Sequence, residues 1–171
     1  MISSIIMKEH PFVLKDDKDS NPEDQTVFYL VPKTVRSQND TAARYAGVYK
    51  SDKKTGEQTV NKKRLNVVDD EEWGDAVQRI TNFIIHPAAP EGVYDYFFNL
   101  IEIGGASHLS KIETKEDDNG VSKPVTLIKV IETTDDEELR RIRLAMDPKH
   151  VSEVMDAYYD YAQLTGAGKN D

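Results

Sequence analysis

The sequence predicts an α+β fold: one small, mostly antiparallel sheet with about five helices packed on one side of it. Three observations carry this. The run Gln25–Val31 (QTVFYLV) is β-branched and aromatic, and it follows the shorter PFVLK (Pro11–Lys15) across a polar loop, as the second strand of a hairpin does. Asp69–Glu113 holds the single tryptophan and the longest apolar periodicity in the chain, at helical spacing. Nearer the C-terminus two helix starts carry their own caps, Thr134 with Glu137 and Asp147 with Pro148.

Taken in order, residues 1–10 read as a loose arm, and Asp16–Asp24 (DDKDSNPED) as an exposed loop dense in turn formers. Pro32 ends the QTVFYLV strand, and Thr34 caps a helix expected over Thr34–Lys50. Ser51–Gln58 is a loop, and Thr59–Val68 (TVNKKRLNVV) reads as a strand. Asp69 and Asp70 then serve as caps for a helix in which Trp73, Val77, Ile80 and Ile84 share a face. Glu71 and Glu72 would sit at its positive end. His86-Pro87 and Ala89-Pro90 stop it, because the residue before a proline leaves the α region.

A second helix begins near Glu91, apolar around more than half its circumference, and so must be buried against the sheet or a partner. Gly104–Ser107 is its cap and turn, and Thr114–Lys123 is a polar loop. Pro124–Ile131 (PVTLIKVI) supplies a strand, so that the expected sheet comes from 11–15, 25–31, 59–68 and 124–131. The next helix turns Leu139, Ile142 and Met146 inward, and the last one Val151, Val154, Met155 and Tyr158. Gly166 and Gly168 release a flexible tail, 165–171. With 171 residues the whole is expected to be a single domain around one core.

Composition narrows the function classes. The absence of cysteine excludes disulfides, thiolate catalysis and cysteine-held metal. No apolar run approaches the roughly 20 residues of a membrane span. The opening MISSIIMKEH lacks a basic leader region, which with the missing cysteines fits the cytoplasm. Charge is uneven. Met1–Val68 carries 12 Lys+Arg against 9 Asp+Glu, a net of +3, and Asp69–Asp171 carries 10 against 22, a net of −12. The acidic body argues against nucleic acid as a partner. The one basic stretch, Lys50, Lys53, Lys54, Lys62, Lys63 and Arg64, reads as a solvated loop rather than a base-stacking patch.

No catalytic constellation emerges, and no cofactor or metal is expected. His10, His86, His108 and His150 each stand alone, without a ligand motif. Gly104-Gly105 is not followed by the Lys-Ser/Thr of a phosphate loop, and the two DDEE runs are explained as caps. The remaining signal is for protein contact. Tyr159 and Tyr161 leave the inward stripe of the last helix, and Asp95 and Tyr96 lie early in the apolar one; these four are the candidate contact residues.

Three segments carry a wider likeness. VFYLVPKTVRSQNDTAARY (Val27–Tyr45) is an apolar strand, a proline and a polar helix; EEWGDAVQRITNFIIHP (Glu71–Pro87) is a tryptophan-bearing middle; Leu164, Thr165, Gly166, Lys169 and Asn170 close the chain. Across most of its length this layout resembles the tail assembly chaperones of long-tailed, siphovirus-like bacteriophages. PVTLIKVI and the charged loop before it depart from that family's helical second half. The resemblance implies a non-enzymatic morphogenesis protein of the host cytoplasm that binds the tape measure protein and recruits tail tube subunits, and homo-oligomers are compatible with it. It also implies a longer form made by −1 frameshifting, for which Gly168-Lys169-Asn170 permits a slippery A-AAA-AAY heptamer. The alternatives are a virion component, such as a head–tail connector, tail-completion or capsid-associated protein, and an acidic nucleic-acid mimic that inhibits a host defence protein.

Overall fold

The computed structural model describes residues 9–32, 35–121 and 126–167. The fold is α+β, with five α-helices among the described residues. Strands β1 (His10–Val13), β2 (Val27–Leu30), β5 (Val77–Ile85), β6 (Leu109–Glu113) and β7 (Thr126–Thr133) form one antiparallel sheet in the order β1-β2-β5-β7-β6. Strands β3 (Tyr49–Ser51) and β4 (Gln58–Val60) form a separate two-stranded ribbon. The helices are α1 (Val35–Tyr45), α2 (Lys62–Ala76), α3 (Val93–Glu102), α4 (Asp136–Ala145) and α5 (Pro148–Ala167).

The N-terminal hairpin forms as the sequence predicts, pairing His10 with Leu30 and Val13 with Val27. Its long loop is tied by its own polar groups. The Thr26 amide donates to Asp17 at 2.6 Å, and the Gln25 side-chain amide donates to the carbonyls of Lys18 and Ser20. The expected strand at 124–131 is β7, placed two residues later; residues 122–125 lie outside the described set. The expected arm lies outside it too over 1–8, whereas His10 belongs to β1.

The middle of the chain differs from expectation. The helix predicted from Asp69 through Ile84 is two elements. Helix α2 starts at Lys62, capped by the Asn61 side chain, which accepts from the Arg64 amide at 3.2 Å. Asp69 and Asp70 therefore sit in mid-helix, not at a cap. The predicted strand at 59–68 shrinks to β4, outside the main sheet. Val77–Ile85 leaves α2 directly as the central strand, paired with β2 on one side and β7 on the other.

The apolar spacing of three from Val77 through Ile80 to Phe83 mimics a helix and has a physical origin in two irregularities of that strand, whereas Ile84, expected to share the face of Val77 and Ile80, is exposed on the opposite one. The register with β2 slips between Tyr29 and Leu30, where Leu30 faces Val77 and Tyr29 faces Arg79. Asn82 then takes a left-handed conformation, φ 55°. Each irregularity adds one residue between successive inward positions, turning a spacing of two into three. Asparagine tolerates this conformation better than most residues. It is held there by Thr26 Oγ1 donating to its carbonyl and by its own amide donating to the Glu23 carbonyl, both at 3.0 Å.

Other boundaries shift for local reasons. The helix expected over Thr34–Lys50 ends at Tyr45, and Tyr49–Ser51 becomes β3; the proposed cap Thr34 lies outside the described residues. Strand β6 was not expected, since LSKIE is short and follows a glycine turn. Helix α4 is capped by Asp135, not Thr134, with the Asp135 carboxylate accepting from the amides of Glu137 and Glu138 at 3.0 Å each. Asp147 caps α5 as expected, accepting from the Lys149 amide at 2.8 Å. Helix α5 runs past Gly166 to Ala167, so the release expected at 165 does not occur there; residues 168–171 lie outside the described set.

The core lies between the helices and one face of the sheet. Trp73 is fully buried, donates from Nε1 to the Leu139 carbonyl at 3.0 Å, and meets Phe28 edge-on. Phe28, Leu30, Ile80, Ile128 and Val130 rise from the sheet to meet Phe97, Leu139, Ile142, Val154 and Tyr158 from the helices. Leu139, Ile142, Met146, Val154 and Tyr158 are buried as their spacing predicts. The opposite face of the sheet is open. There Arg79 lies over the Tyr29 ring and pairs with Glu9 and Glu132, while Ile84 and Ile131 are exposed.

Candidate protein-contact groove

Helices α2, α4 and α5 do not close completely over the core, and a groove runs between them. Its narrower end, about 260 Å³, is lined by Tyr45, Asp69, Glu72, Met155, Asp156 and Tyr159. Arg143, Val151 and Ser152 line both this end and a wider one of about 520 Å³, which adds Asn66, Asp70, Leu144, Met146 and Pro148. Carboxylates of α2 and α5 line the groove together with the apolar Val151, Leu144, Met146 and Met155. Val67 and Leu144, on α2 and α4, are large apolar side chains more than half exposed.

The narrow end is anchored by a buried acid. Glu72, 1% exposed, accepts from Thr41 Oγ1 at 2.7 Å, from the Arg44 guanidinium at 3.4 Å and from the Tyr159 hydroxyl at 3.4 Å. A buried carboxylate is costly unless charge and hydrogen bonds meet it, and here α1 and α5 both supply donors. The hydrogen bond and charge of Asp75, followed by Glu71 and Glu72, hold the Arg44 guanidinium firmly protonated against a smaller desolvation effect. Beside it the Tyr45 hydroxyl donates to Asp69 at 3.1 Å. Burial first, and then the neighbouring Asp69 and Glu72 carboxylates, push Tyr45 and Tyr159 above the ordinary phenol range, so both remain hydroxyl donors. Arg143, the cation lining the groove, is paired with Asp70 and lies 4.0 Å from Asp69.

The four sequence-predicted contact residues scatter over three places. Tyr159 lines the groove. Tyr161, two residues on and so nearly opposite around α5, stacks on His10 of β1 with ring centroids 4.5 Å apart. Tyr96 is half-buried on α3, edge-on to Phe97 and covered by the Arg141 guanidinium at 3.8 Å. Asp95 is exposed in the first turn of α3. The structure thus brings Tyr159 together with residues that sequence reasoning did not select, namely Tyr45, Arg143, Met155 and Asp156. One signal was present. Ser152, Asp156 and Tyr159 repeat at four and three residues on α5, beside the inward stripe of Val154 and Tyr158.

A second polar cluster lies at the start of α4. Glu138, 5% exposed, accepts from Thr133 Oγ1 at 2.6 Å and contacts His108 Nε2 at 2.8 and 3.0 Å. The threonine hydroxyl donates to the carboxylate and not to the imidazole. The cluster fastens β6 and β7 to α4. The other histidines are also held in structural contacts: His86 Nδ1 accepts from the Ala88 amide at 3.0 Å, and His150 meets Asp16 at 3.2 Å. Among the described residues no group of three or more His, Cys, Asp or Glu is placed to hold a metal ion, and no helix is long and apolar enough to cross a membrane.

Comparison of the chain with protein-family models, with curated proteins and with solved structures gives no match.

Proposed function

We propose that this protein is a non-enzymatic assembly factor, and most specifically a tail assembly chaperone of a long-tailed bacteriophage. On this reading it holds a segment of the tape measure protein or a tail tube subunit in the groove between α2, α4 and α5. The observation that carries the contact role is the groove lining. Methionine and tyrosine side chains adapt to varied apolar partners, and the acidic rim selects segments that carry lysine or arginine. The chaperone identity draws support from the layout of Val27–Tyr45, Glu71–Pro87 and the closing Leu164–Asn170. Such a protein works in the host cytoplasm and leaves the particle before completion.

The test combines location with binding. A chaperone is absent from purified virions, co-purifies with tape measure or tail tube protein from infected cells, and is accompanied by a longer product sharing its N-terminus. Presence in the finished particle at fixed copy number would instead make it a virion component. Asp156→Lys at the groove rim, on an exposed helical position, is expected to weaken the co-purifying complex at least several-fold without lowering the melting temperature.

A further inference from the structure

Among the described residues, the ribbon β3–β4 is the one pair of strands that does not join the main sheet. Every residue from Tyr49 to Lys63 is exposed. A two-stranded ribbon alone in water is marginally stable, so one that projects in this way gains from a surface to lie against. Its own surface is two-sided. Tyr49 and Val60 are cross-strand partners and are 50% and 45% exposed, forming an apolar pair on one side. Lys50, Lys53, Lys54, Lys62 and Lys63 lie along the ribbon and just after it, against Asp52 and Glu57 of opposite sign.

The groove offers the complement. Asp69, Asp70 and Asp156 line it against Arg143, Leu144 is exposed within it, and Val67 is exposed next to Asn66 at its start. Arm and groove are neighbours on one element, because the ribbon ends where α2 begins and the groove starts at Asn66, one turn later. Two features that complement each other and lie side by side can be satisfied together about one two-fold axis.

We infer that in the free protein a second copy of this chain fills the groove: the two copies exchange their basic β3–β4 ribbons, each laying Tyr49, Val60 and the neighbouring lysines into the acidic groove of the other. The inference goes beyond the chaperone role and needs no tail protein to test. It leaves a partner segment of similar chemistry to compete with the ribbon. Nucleic acid is the weaker occupant for the same lysines, since the acidic body behind the ribbon repels phosphate.

The test is sedimentation equilibrium of the full chain with two charge-reversed variants. One carries Lys53→Glu with Lys54→Glu on the ribbon, and the other Asn66→Lys with Asp156→Lys on the groove, all at exposed positions. Wild-type protein is expected at twice the 19.4 kDa chain mass in low salt and at the single mass near 1 M salt, where screening acts over about 3 Å. Each variant alone should be monomeric, since ribbon and groove then repel. An equimolar mixture should recover the dimer, because both exchanged contacts again pair opposite charges. Tyr49→Ser with Val60→Ser should raise the dimer dissociation constant at least tenfold at every salt concentration, independently of charge. A monomeric wild type at roughly 100 μM, variants that stay dimeric, a mixture that stays monomeric, or binding of duplex DNA by a monomer would each overturn the inference.

Discussion

At the scale of single residues, two neighbours on α2 do different work. Trp73 fills the core, and its indole N–H satisfies the carbonyl of Leu139. Trp73→Phe keeps most of the volume and loses that bond, while the ladder of α4 still serves the Leu139 carbonyl, and should cost about 0.5–1.5 kcal/mol in urea unfolding. Trp73→Ala adds a cavity and should cost about 3–5 kcal/mol. Glu72 is buried for a reason unrelated to packing: it gathers Thr41 and Arg44 of α1 and Tyr159 of α5 around one carboxylate. Arg44 also pairs with Glu71 and Asp75, so loss of the charge does not strand it. Glu72→Gln, which keeps an acceptor oxygen, should therefore cost only about 1–2 kcal/mol. Glu72→Leu leaves the Thr41 and Tyr159 hydroxyls facing an apolar group and should cost more than Glu72→Gln in the same denaturation series.

At the scale of elements, legibility followed the regularity of the local pattern. The N-terminal hairpin, α3, α4 and α5 were readable because their apolar periods agree with their tertiary roles, although the cap of α4 fell one residue later than Thr134. The central strand was not. Its inward residues Val77, Ile80 and Phe83 repeat every three positions, a spacing that sequence alone assigns to a helix. That spacing arises from a register slip set by β2 and from the left-handed Asn82, both consequences of pairing with residues far along the chain. The groove was legible only at Tyr159, because it is assembled from four helices whose outer stripes carry no local mark of one another. Asn82 allows a direct check. Asn82→Gly should be nearly neutral, since glycine adopts φ 55° freely yet loses the bond to the Glu23 carbonyl. Asn82→Val, β-branched and without that amide, should destabilise by about 1–2 kcal/mol or more in thermal unfolding.

At the scale of the whole molecule, the chain is clasped between the hairpin loop and the last helix. The Lys15 amide donates to Glu153 at 2.8 Å, and the Asp16 carboxylate meets Lys149 and His150 at the start of α5, each at 3.2 Å. Those partners, His150 first and Lys149 next, hold the Asp16 carboxyl below its ordinary value of 3.8. A carboxylate whose folded pKa is depressed contributes stability that is present above the unfolded value and lost as pH falls through the folded one. The Asp16 contribution is therefore present at neutral pH and is lost in acid, below pH 3.8. Asp16 is fully exposed, so salt screens the effect and the loss is small. The expected signature is local: amide exchange in the β1–β2 loop and the first turn of α5 rises together below pH 3.8, while the Trp73 core stays protected. Asp16→Asn should show that raised exchange already at pH 7, and should remove its acid dependence at those two sites. Equal exchange in wild type and Asp16→Asn across the whole range would mean that the Lys15 amide bond to Glu153, and not the charged pairs, holds the two ends of the chain together.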